Sequence, residues 1–155
     1  MSKQYKHILV PLDGSELAEL AVDDALGIAK LRQAEITLLQ VVFPAEEVIG
    51  LEVGHPIYLD QQWQNKKVLG LEYLDSVCKR KGNEGLSVHL AIEMGEPAES
   101  IINYASQHPV DLIVMATHGR SGMARWVYGS VADKVLRGAD VPVLLVRSHP
   151  EKDMS

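Results

Sequence analysis

The chain has 155 residues, enough for one domain with an ordinary core, and its 46% hydrophobic and 23% charged residues exclude a disordered or fibrous class. A formal net charge of −6 argues against a surface built for nucleic-acid backbone, although it leaves room for a nucleotide in a locally positive pocket. The one cysteine, Cys78, excludes an internal disulfide; with no leader-like start and no apolar run of membrane-spanning length, the expectation is a cytoplasmic protein without membrane contact.

Residues 7–12 (HILVPL) predict a first strand whose end is marked by Pro11. Asp13-Gly14-Ser15 is a turn, with Ser15 placed as a helix N-cap and Glu16 and Glu19 favourable in the first turn. Ala18, Ala21, Val22, Ala25, Ile28 and Ala29 then recur at helical spacing, and their small size implies close packing on a sheet. Residues 36–43 predict a second strand, and residues 44–60 a long loop with two prolines and two glycines. A helix is expected from about Gln61 to Arg80, with Leu71, Leu74, Val77 and Cys78 inward, ended by the Gly82–Gly85 turn.

Residues 86–92 predict a third strand. Gly95-Glu96-Pro97 opens a helix with Pro97 at its first position and Ala98, Ile101, Ile102 and Ala105 inward. The run Leu112-Ile113-Val114-Met115-Ala116 reads as a strand buried on both faces, followed by a glycine-punctuated loop, Thr117 to Gly122. Gly129-Ser130 closes that connection, with Ser130 expected to cap a helix starting at Val131 and turning Val131, Ala132, Val135 and Leu136 inward. Residues 141–146 predict the last strand, and residues 149–155 a polar tail after a single domain of residues 1–148.

Strands alternating with helices predict a single-domain α/β fold: an open five-stranded parallel sheet with helices on both faces, Rossmann-like, with ligands binding beyond the carboxyl ends of the strands. A strand, a glycine loop and a helix start together form an arrangement suited to phosphate, because glycines admit backbone amides close to an anion and the helix end carries partial positive charge.

The segments ILVPLDGSE, GEPAESI, and DLIVMATHGRSGMARWVYGSVADKVLR followed by VPVLLV resemble the universal stress protein family along nearly the whole chain. The family's nucleotide motif is Gly, two residues, Gly, nine residues, then Gly with Ser or Thr. Here Gly119 is its second glycine and Gly129-Ser130 its end, while Ala116 replaces the first glycine. The resemblance implies sheet order 3-2-1-4-5 and an ATP site, with ADP and AMP as the other nucleotides. In it, Asp13 and the backbone near Val41 would hold the adenine over a floor of Pro11 and Leu12, and Ala116 would lie near the ribose. Gly119, Gly129, Ser130 and the Val131 amide would contact the phosphates, with Arg120 a weaker candidate and Mg²⁺ or Mn²⁺ bridging the phosphates. It also implies a homodimer through residues 141–146, with a further protein partner left unidentified.

Residue by residue, plainer roles compete. Asp13 equally suits a turn cap, while turns with positive φ are the lesser of two readings for Gly119 and Gly122. His118 has no identifiable carboxylate or nucleophile partner, so it reads as structural or solvent-facing. Arg125 reads as a surface residue, and Trp63 and Trp126 as packing or interface residues. The remaining histidines show no metal-ligand spacing. No P-loop lysine precedes Ser130 and no GxGxxG fingerprint occurs. The expected function is an ATP-binding stress-response regulator that holds nucleotide. The alternatives are a slow ATP hydrolase and a nucleotide-free dimeric interaction protein.

Overall fold

The strand His7–Leu12 (β1) is buried at all six positions and lies at the centre of the sheet. In the computed structural model, which describes residues 4–42, 56–117 and 129–148, it is followed by α1 (Glu16–Arg32), β2 (Glu35–Val42), α2 (Pro56–Lys81), β3 (Val88–Met94), α3 (Pro97–Gln107), β4 (Leu112–Thr117), α4 (Ser130–Gly138) and β5 (Val143–Arg147). The strands pair in parallel in the order β3-β2-β1-β4-β5. The α/β class, five-stranded sheet and 3-2-1-4-5 order are as expected, and strand order reverses between β1 and β4.

Each strand shows alternate residues to opposite faces, so the apolar runs feed two cores. Ile8, Val10, Ile36, Leu38 and Val114 meet α1 and α2 on one face, with Leu74 and Val77 of α2 fully buried against them. Leu9, Leu39, Ile113 and Met115 meet α3 and α4 on the other, with Ala98, Ile101, Ala132 and Val135. Burying side chains of this size contributes about 1.5–3 kcal/mol each, which fixes the sheet as the rigid base of any site on its rim.

The sheet's own hydrogen bonding opens that rim. The pairing of β1 with β4 ends at Leu9 with Ile113, whereas β1 pairs with β2 through Leu12. Residues of a parallel strand alternate in the neighbour they bond to. The Asp111 amide bonds the His7 carbonyl and the Ile113 amide turns away to Pro142, so His7, Leu9 and residue 11 face β4. The next rung would run from the amide of residue 11 to the Val114 carbonyl, and Pro11 has no amide hydrogen. A proline in a central strand is tolerated here because it stands where the two halves of the sheet part.

Several expectations are corrected. Pro56 to Asp60 belong to α2, so the loop expected over 44–60 is shorter at its end; residues 43–55 lie outside the described residues. The third strand begins two residues later than expected and the last runs Val143–Arg147, not from 141, with Pro142 just before it. Leu136 is 47% exposed and not inward. The α4 helix starts at Ser130, and Gly129 occupies the cap position without a side-chain bond, so Ser130 is the first helical residue and not the cap.

Candidate functional site

At the carboxyl end of β1 the chain makes a tight turn. Gly14 has φ +91°, a conformation that disfavours any side chain, and it returns the chain into α1. The Asp13 carboxylate closes this turn by accepting from the Ser15 amide at 2.9 Å and the Ser15 hydroxyl at 2.5 Å, both on Oδ1. The same Ser15 oxygen accepts from the Ala18 amide at 3.1 Å and so caps α1. One carboxylate oxygen thus holds the turn, and the exposed Oδ2 is left to accept from a ligand. Turn capping and ligand binding are compatible at this residue.

Beyond the end of the β1–β4 ladder lies a crevice of about 340 Å³, within the range of small-molecule pockets. Pro11, Leu12 and Asp13 line it from β1, Val41 from β2, Ala116 and Thr117 from β4, and Gly129, Ser130 and Val131 from the start of α4. Eight of the ten residues nominated from the sequence therefore converge on one space; Gly119 and Arg120 lie outside the described residues, as do His118, Gly122, Arg125 and Trp126. Reading by segment missed Leu17 of α1, Pro97 and Ile101 of α3, and Met115, which complete the apolar wall. The signal for Pro97 was present in the GEPAESI helix start, but nothing local says that a helix start faces another strand's end.

Three helices start at this rim with their first turns described, and they differ in how those turns are satisfied. The first turn of α1 has the Ser15 cap and acidic Glu16 and Glu19. That of α3 is capped by Glu96, whose carboxylate accepts from the Glu99 amide at 2.7 Å and the Ala98 amide at 3.2 Å. Those bonds, the Glu99 amide foremost and with Lys134 adding to them, hold the Glu96 carboxyl below its usual range, so the cap is an anion. In α4 the cap residue, Gly129, has no side chain to offer, and among the described residues the first amide bonded into the helix is that of Asp133, to the Gly129 carbonyl at 3.1 Å. The Ser130, Val131 and Ala132 amides have no partner among the described residues and stand at a crevice wall, with the positive end of the helix behind them.

Gly129 adds a second point. Its φ of −39° is not left-handed, and a Cβ there would meet nothing within 4 Å among the described residues. Nothing among the described residues requires glycine at this position. A ligand brought close to the backbone would.

Polar contacts that the segments did not announce brace the wall. Glu19, buried on α1, accepts from the Tyr73 hydroxyl at 3.1 Å and pairs with Arg80 at 2.9 Å, tying α1 to α2. Burial, and then the bond to Glu19, pushes the Tyr73 hydroxyl up well above its ordinary range, so it stays a donor. Among the described residues no group of three or more His, Cys, Asp or Glu could hold a metal ion. None of the described helices is long and apolar enough to cross a membrane.

The chain matches the Universal stress protein family over residues 4–147. It is 35% identical over 149 residues to the universal stress protein MJ0531 of Methanocaldococcus jannaschii, covering 96% of this chain and 85% of that protein. Its fold is similar to the solved structure of MJ0577 of the same organism, with a TM-score of 0.78 and 28% identity over 95% of this chain and 99% of that one. It is also similar to a universal stress protein solved in complex with cAMP, with a TM-score of 0.66 and 26% identity over 93% of this chain and 98% of that one.

Proposed function

The chain belongs to the universal stress protein family, and from that premise we propose that it binds ATP in the β1–β4 crevice and acts as a nucleotide-dependent regulatory module of the stress response. The observation that carries this reading is the open first turn of α4 at the crevice wall. Three amides with no partner among the described residues, beside a glycine whose Cβ would meet nothing among them, fit an anion, while the caps of α1 and α3 exclude one from theirs. The relative solved with cAMP supports an adenine nucleotide as the anion's carrier.

In this reading Asp13 Oδ2 accepts from the adenine amino group, Pro11, Leu12 and Val41 flank the base, and Ala116 lies by the ribose. The α4 amides, with Gly129 and Ser130, receive the phosphates; Gly119 and Arg120 belong to the same motif. A Mg²⁺ or Mn²⁺ ion would arrive with the phosphates and offset their charge. The chain's part is to bind and orient: the Asp13 carboxylate already holds the Ser15 turn, and Ser130 is the first residue of the α4 turn that receives the phosphates. The site of action is the cytoplasm.

The proposal includes a homodimer through β5. Among the described residues this strand ends the sheet with one side unpaired, and Leu144 on it and Leu136 on α4 are 39% and 47% exposed. A monomer by light scattering at micromolar concentration would remove that part of the reading. The nucleotide is tested by mass spectrometry of small molecules released from the purified protein, followed by calorimetric titration with ATP. An adenine nucleotide in the first and saturable heat in the second are expected; heat-free titration with no change in melting temperature refutes the proposal.

A further inference from the structure

We infer that Arg147, the last residue of β5, binds the outer phosphates of the nucleotide and sets this crevice's preference for ATP over AMP. The inference rests on the ATP reading above and assigns a residue to it that neither the glycine motif nor the crevice lining contains.

The direction of the ligand follows from strand order. Asp13 and Val41 are at the ends of β1 and β2, Ala116 at the end of β4, and α4 begins above β4 and β5, packing against both. A nucleotide with its base at Asp13 and its first phosphate at the α4 amides therefore runs across the sheet in the sense β2, β1, β4. Lengthening its phosphate tail carries it towards β5.

The residue met at that end is Arg147. It is in parallel register with Thr117, which lines the crevice, so their backbones are about 4.8 Å apart. Alternation places both on the α4 side of the sheet. Met115 and Leu145 belong to the core beneath α3 and α4, and Thr117 and Arg147 come two positions after them. The Ser148 amide donates to the Thr117 carbonyl at 3.3 Å, so the backbone is held on both sides of Arg147.

Charge points to the same side chain. The basic residues of α4 are engaged, Lys134 with Glu96 at 3.9 Å and Arg137 with Asp133 at 3.1 Å. Arg147 is exposed and has no ion pair among the described residues. In a chain of net charge −6, a polyphosphate needs a local cation, and a guanidinium can meet two phosphate oxygens at once. AMP ends at the helix amides and does not reach it.

The test is calorimetric titration of the full chain and of R147Q and R147K with ATP, ADP and AMP, with and without Mg²⁺. R147Q is expected to weaken ATP about tenfold and AMP less than about twofold, and R147K to recover part of the ATP loss. Melting temperature in the absence of nucleotide should be unchanged, because the side chain is exposed and makes no ion pair among the described residues. An ATP-to-AMP affinity ratio that is the same in wild type and R147Q overturns the inference and leaves the ATP reading standing. A wild-type chain that binds none of the three nucleotides overturns both.

Discussion

Gly129→Ala separates a glycine kept for the fold from one kept for a ligand. The backbone at 129 has φ −39° and ψ 137°, which alanine can adopt, and the added methyl would meet nothing within 4 Å among the described residues. No cap bond is lost, since none is made. Alanine is a poorer cap residue than glycine, but it also reduces the freedom of the unfolded chain, and the two effects are of similar size and opposite sign. The stability of the free protein should change by less than about 0.5 kcal/mol, or about 2 °C in melting temperature for a chain of this length.

Binding should respond differently. ATP at about 100 times its Kd stabilises the wild type by about 2.7 kcal/mol, roughly 5–10 °C. A methyl group over the α4 amides keeps phosphate oxygens from them. If the complex weakens tenfold, the same ATP concentration stabilises the variant by only about 1.4 kcal/mol, about half the wild-type shift. Scanning calorimetry with and without ATP measures both quantities. A G129A variant that melts more than about 5 °C lower without ligand would show that the fold needs the glycine. One that shifts with ATP as wild type does would show that the phosphates lie elsewhere. Either result refutes the argument.

Ser15→Ala removes the α1 cap and the hydroxyl bond to Asp13, leaving the amide bond at 2.9 Å, so it should cost about 1–2 kcal/mol of stability and also weaken nucleotide binding; urea denaturation and titration check the two effects. Pro11→Val restores an amide hydrogen facing β4, so the ladder should gain a rung, seen as slow hydrogen exchange at residue 11, and ATP affinity should fall as the rim closes. Fast exchange at that amide would count against the account of the crevice. His7 is buried with Nε2 2.7 Å from the Thr37 hydroxyl and Nδ1 3.6 Å from the Glu35 carboxylate. Burial outweighs Glu35 and Asp111 and lowers its pKa below 6.5, so the folded state takes up this proton later than the unfolded one. His7's contribution is therefore complete above 6.5 and declines as pH falls below it. Denaturation of wild type and H7Q from pH 7.5 down to pH 5 should show a difference that varies with pH; a constant difference would sink the assignment.

Local chemistry determined much of this protein before any long-range contact was known. Asp13-Gly14-Ser15 and Glu96-Pro97 announced two helix starts, and the structure has α1 and α3 begin where these residues place them, because caps and proline act within one turn. Continuous apolar runs identified five strands and their parallel arrangement, since only a sheet covered on both faces hides such runs. The α4 cap and the start of α2 were misplaced, because Gly129 and Ser130 are one residue apart in a common pattern and the first turn of α2 lacks a clean period.

Tertiary structure decided what no segment contains. Glu19 is buried because Tyr73 and Arg80 come to it from 54 and more residues away, and His7 is buried by Thr37 thirty residues along. Pro11 ends a ladder with β4 only because strand order makes β4 its neighbour, about a hundred residues later in the chain. The crevice itself is of this kind. Turns and caps are short-range and legible in a few residues, whereas a site at the reversal of a sheet exists only after distant strands have paired.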